Sequence, residues 1–88
     1  MVFENVTMGN SRGMHLRPAM VFASRMSRYD ARIRLEAGDR AADGKSFVSI
    51  LRAGIGNVTQ VRVVCDGPDE EEMLRRAADL IQSGFGEL

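Results

Sequence analysis

Arg32-Ile33-Arg34-Leu35-Glu36-Ala37 alternates charged and apolar side chains without a break. A period of two puts Ile33, Leu35 and Ala37 on one face of a strand and Arg32, Arg34 and Glu36 on the other. A strand wetted on one side belongs to an antiparallel sheet with a single covered face. Gly38-Asp39 then reads as a tight turn, and Arg40-Ala41-Ala42 as a short return strand. Further along, Val61, Val63 and Cys65 alternate in another strand, expected to be well buried because Val64 is apolar too. Upstream, Val2, Val6 and Met8 share a parity that Glu4 interrupts, which reads as a strand over residues 2–8.

Between these strands the period changes. Leu16, Ala19, Met20, Phe22, Ala23 and Met26 recur at three- and four-residue spacing, one face of a helix of about three turns. Pro18 fits in its first turn, where a missing N–H costs no intrahelical bond, so the helix starts at His15 or Leu16. Ser46 stands as a natural N-cap before Phe47, Val48, Ile50 and Leu51, with Gly54, Gly56 and Asn57 ending that run. Gly67-Pro68 breaks the last strand. Asp69 with Glu72 resembles a capping box, and Glu70 and Glu71 add negative charge at the positive end of a third helix. Met73, Ala77, Leu80 and Ile81 form its expected stripe, with Gly84 as its stop. The order is βαββαβα, an α+β fold with four antiparallel strands and the helices packed on one face.

Eighty-eight residues make one small domain, 1–88, with a thin core. No apolar run reaches the about 18 residues of a membrane-spanning helix, and the first residues lack a signal pattern, so the chain reads as cytoplasmic without membrane insertion. One cysteine, Cys65, excludes an internal disulfide and Cys-rich metal frameworks. Residues 1–65 carry ten basic and five acidic side chains, and residues 66–88 two and seven, so a net charge of zero hides two opposite halves. A nucleic-acid binder is usually basic overall, and the low aromatic content argues the same way against an RNA-binding domain built on Arg12, Arg17 and the basic strand.

His15 is the only histidine, in Gly13-Met14-His15-Leu16-Arg17-Pro18-Ala19. An isolated histidine is usually an ordinary polar residue. This one opens a helix, where N–H groups and the dipole attract anions. Arg17 brings a planar cationic fork suited to phosphate, and Gly13 lets another surface approach. Imidazole nitrogen is a good nucleophile near neutral pH. The dipole is worth about 0.3–1 kcal/mol and each charge-assisted hydrogen bond about 1.5–3 kcal/mol. Those magnitudes hold a phosphoryl group briefly without trapping it. With no second base, carboxylate pair, metal cluster or cofactor motif beside it, the histidine suits a carrier better than an enzyme.

The stretch from Gly13 to Met20 resembles the active-site motif of the HPr family, histidine-containing phosphocarriers of the bacterial phosphoenolpyruvate-dependent phosphotransferase system. The resemblance covers essentially the whole chain in length and element order. It implies an open-faced β-sandwich, and a His15 that accepts a phosphoryl group on its pros nitrogen from enzyme I and donates it to an enzyme IIA. It implies that Arg17 steadies the phosphoryl group and that Pro18 sets the helix start; a monomer is expected, although the sequence leaves the oligomeric state open. Leu16, Met20, Phe47, Val48 and Leu51 match an exposed apolar docking patch, although an apolar residue on a helix is more often core. Arg25 and Arg28 would rim that patch.

Lys45-Ser46-Phe47-Val48 is similar to the regulatory serine region of HPr proteins that meet an HPr kinase/phosphorylase, and such proteins also bind a transcriptional regulator. Asp43-Gly44 before the lysine departs from that pattern, and N-capping alone accounts for a serine here. Gly67-Pro68-Asp69-Glu70-Glu71-Glu72 and Ser83-Gly84-Phe85 resemble the nitrogen-related paralogue, so the sugar and nitrogen branches both stay open. The competing reading is a regulatory adaptor that uses the same surface and Ser46 without relaying phosphate.

Overall fold

The computed structural model describes residues 1–9, 14–55 and 58–86. Four strands, β1 (Val2–Thr7), β2 (Arg32–Ala37), β3 (Arg40–Asp43) and β4 (Gln60–Asp66), and three helices, α1 (Leu16–Met26), α2 (Phe47–Arg52) and α3 (Glu70–Gln82), follow the expected order βαββαβα. The sheet runs β1-β4-β2-β3 with every neighbouring pair antiparallel. The register aligns Val6 with Val61, Leu35 with Val63 and Ala42, and Ile33 with Cys65, so one face of the sheet is apolar and buried across all four strands, broken only near the edge of β1 where Glu4 lies opposite Val63 and is exposed. The helices cover that face: α3 lies over β1 and β4, α2 beside β3, and α1 between the two helices. The other face is open.

Three sequence expectations are corrected by this layering. Val64 is half-buried, because its parity points it to the open face, where an apolar residue finds no helix to cover it. On α3, Ala78 is buried and Leu80 only half-buried, since the helix lies flat on the sheet and turns the Met73-Ala77-Ala78-Ile81 edge inward. The capping box at α3 does not form. Asp69 occupies the N-cap with φ −110° and ψ 30°, away from the extended backbone a capping carboxylate needs, and makes no cap hydrogen bond. Its two oxygens accept instead from the N–H groups of Asp30 (2.9 Å) and Ala31 (2.8 Å), tying the loop before β2 to the start of α3. These bonds hold the Asp69 carboxyl below its ordinary value, the Asp30 N–H having the larger effect. The helix entry is fastened by Glu70, whose carboxylate accepts the Gly67 N–H at 3.0 Å while the Gly67 carbonyl accepts the Glu70 N–H at 3.2 Å.

Backbone geometry calls for glycine at both ends of α3. Gly67 turns at φ +153°, and a Cβ there would lie 2.5 Å from the Cα of Ala31. Gly84 ends α3 at φ +73°, as its position in the sequence suggested. The chain then makes a short 3-10 turn, Gly84–Gly86, in which Phe85 takes φ +62°. That left-handed conformation is uncommon for an aromatic residue, and it drives the Phe85 ring into the core, edge-on to Phe22 of α1 at 6.3 Å between centroids. Among the described residues, no helix is long and apolar enough to cross a membrane.

Candidate functional site

His15 is the N-cap of α1, with extended backbone (φ −77°, ψ −170°) and a carbonyl that accepts the Ala19 N–H at 3.0 Å. That is the first bond of the helix. Pro18 has no N–H, and among the described residues no acceptor takes the N–H groups of Leu16 and Arg17. Both donors therefore stand at the positive end of an eleven-residue helix, beside the half-exposed imidazole. Arg17 is exposed next to them, on the first turn.

The backbone here is anchored from both sides. Met14, immediately before the histidine, is fully buried, and Pro18, Ala19 and Phe22 are buried just after it. The sequence motif drew attention to the polar residues and left Met14 without a role; its burial pins the start of the helix to the core. Phe85 buttresses α1 from behind through Phe22, and no periodicity marks a lone phenylalanine after a helix stop. Gly13 and the rest of the loop 10–13 lie outside the described residues, as do Gly56 and Asn57.

Five large apolar side chains on the two neighbouring helices α1 and α2 are not core. Leu16 and Met20 on α1, and Phe47, Val48 and Leu51 on α2, are each between 38% and 54% exposed, while α1 and α2 pack against each other. The reason is geometric. A helix buries one stripe, and here Phe22, Ala23 and Met26 fill it on α1 and Ile50 fills it on α2. Further apolar residues must then face solvent, and contiguous patches of that kind mark interaction sites.

Ser46 is the N-cap of α2, its Oγ accepting the Ser49 N–H at 3.2 Å. The Ser49 hydroxyl in turn accepts the Asp43 N–H at 2.9 Å, which satisfies a donor on edge strand β3 and ties the strand to the helix. Lys45 donates its Nζ to the Tyr29 carbonyl at 2.6 Å and so braces the end of α1 against the entry to α2. Arg25 and Arg28 are exposed near the end of α1. Among the described residues there is no group of three or more His, Cys, Asp or Glu side chains placed to hold a metal ion.

A family model described as the "PTS HPr component phosphorylation site" matches residues 2–83. The phosphocarrier protein HPr of Treponema pallidum is 31% identical over 87 residues, with 99% of both chains aligned. The phosphocarrier protein NPr of Escherichia coli K12 is 34% identical, covering 98% of this chain and 97% of that one. Among solved structures, an HPr from Thermoanaerobacter tengcongensis superimposes with a TM-score of 0.91 at 32% identity over 100% of this chain and 99% of its own. The strand order, the histidine at the head of α1 and a match along nearly the whole chain agree, and this protein belongs to the HPr family of non-catalytic phosphocarriers of the phosphotransferase system.

Proposed function

We propose that His15 takes a phosphoryl group from enzyme I on its pros nitrogen and passes it to an enzyme IIA. The observation that carries this reading is the setting of the imidazole at the N-cap of α1, beside the N–H groups of Leu16 and Arg17 that no helical carbonyl engages. In the transfer the ring nitrogen directs its lone pair at phosphorus. A new N–P bond forms as the bond to the donor breaks, and that electron pair leaves with the donor. The phosphoryl oxygens then meet the two N–H groups, the helix dipole and the Arg17 guanidinium. None of these groups activates water, so the phosphoryl group waits for the next acceptor.

Leu16, Met20, Phe47, Val48 and Leu51 form the docking surface for both partners on this reading, Arg25 and Arg28 its basic margin, and Pro18 the fixed first turn that holds the histidine in place. Ser46 serves as a regulatory site for an HPr kinase/phosphorylase. A phosphate there would add about −2 charge beside the apolar patch and repel an acidic partner. The test is labelling with phosphoenolpyruvate and enzyme I. Acid-labile phosphate is expected on the parent and none on His15→Ala, while Arg17→Ala is labelled more slowly with unchanged docking. Label on a folded His15→Ala variant, or equal rates for Arg17→Ala and parent, would overturn these roles.

A further inference from the structure

We propose that the open face of the sheet is a second binding site, separate from His15, for a nucleoside polyphosphate. This face carries a shallow groove of about 850 Å³, within the range of about 300–1,000 Å³ typical of small-molecule sites. The register sets Phe3, Val64 and Arg34 in one cross-strand row, flanked by Asp66 and Arg32 in the row on one side and Arg62 and Glu36 in the row on the other. Charge on this face is not evenly committed. The Asp66 carboxylate lies 3.6 Å from the terminal amine, which it shares with Glu70 at 3.1 Å, Glu36 meets Arg34 at 3.0 Å, and Asp43 accepts the Lys45 N–H at 2.9 Å. Among the described residues, no hydrogen bond or ion pair engages the guanidinium of Arg32 or Arg62.

Arg62 lies over the Phe3 ring at 4.1 Å from its centroid, yet Phe3 remains 54% exposed. An aromatic ring backed by a guanidinium is a stacking platform for a flat base. Arg32 stands two strands away and one two-residue step along, which places the two backbone positions about 12 Å apart. That gap suits a ligand with a base at one end and a chain of phosphates at the other. The base stacks on Phe3, and the phosphates reach Arg32, whose planar fork donates two N–H bonds to their oxygens. The helices, and His15 with them, are on the opposite side of the sheet, so occupancy leaves the phosphocarrier site open.

The test is a titration of the isotope-labelled protein with ATP, followed by amide chemical shifts. Shifts concentrated at residues 3, 32–34, 62 and 64 are expected. Phe3→Ala is expected to weaken binding about tenfold, the loss of one base–aromatic stack, and Arg62→Gln by a similar factor. Both variants replace exposed side chains and should keep the parent's melting temperature and its labelling at His15. Tripolyphosphate, which has no base, should bind at least about tenfold more weakly than ATP, again by the loss of the stack. No shift at millimolar ATP, shifts confined to α1 and α2, or equal binding of tripolyphosphate would each overturn the proposal.

Discussion

Replacing Ser46 separates what this residue does for the fold from what it does for partners. Its Oγ accepts the Ser49 N–H at 3.2 Å and caps a helix of six residues whose single buried side chain is Ile50. So short a helix has little stability of its own, since nucleation is costly and only tertiary contacts offset it. Loss of an N-cap hydroxyl costs about 1 kcal/mol, within a range of about 0.5–2 kcal/mol. In a chain of 88 residues that amounts to a fall in Tm of about 4–8 °C for Ser46→Ala. Aspartate caps as well as serine and its charge suits the positive end of the helix, so Ser46→Asp should melt close to the parent. Thermal unfolding followed by circular dichroism measures both. An alanine variant as stable as the parent would refute the reasoning, and so would an aspartate variant that falls as far as alanine. Binding should show the reverse order. Ser46→Asp should lose affinity for enzyme I in a manner that salt diminishes, and Ser46→Ala should retain it.

Asp69 should govern part of the acid stability. Its folded-state pKa lies below the ordinary carboxylate value because the Asp30 and Ala31 N–H groups bond the ionised form. Its contribution is therefore complete above the unfolded-state value and disappears as pH falls through the lower folded-state value. Asp69→Asn should lower Tm at neutral pH and shrink the gap to the parent under strong acid; a gap independent of pH would contradict this account. Cys65 should be inert in the native state. It is fully buried, and burial, with the Glu70 and Asp69 carboxylates adding to it, raises its thiol to about 11. An aromatic disulfide reagent at pH 8 should react only after unfolding, and rapid reaction with the folded protein would show that β4 opens locally.

Much of this molecule was legible in order along the chain. The alternation in residues 32–37, the turn at Gly38-Asp39, the first-turn Pro18 and the N-cap Ser46 are local signals, because a backbone period or a cap depends on neighbours a few residues away. The motif around His15 was equally local, and the helix start it marked is the one found. Asp69 shows where local reading fails. Its spacing from Glu72 satisfies a capping pattern, but two N–H groups nearly forty residues earlier compete for the same carboxylate and win it.

The sequence by itself determined the number and order of the elements and the histidine at the head of α1, since each follows from short-range sterics, periodicity and hydrogen-bonding preference. Only the tertiary structure decided that β4 lies between β1 and β2, and with it which apolar residues are core. Periodicity places Leu16, Met20 and Val64 on faces of their own elements but carries no information about what those faces meet. Packing three helices on one side of the sheet leaves Val64 half-covered beneath the open groove and exposes Leu16 and Met20 beside the histidine. Burial is a relation between distant segments, and it is settled only when they have been brought together.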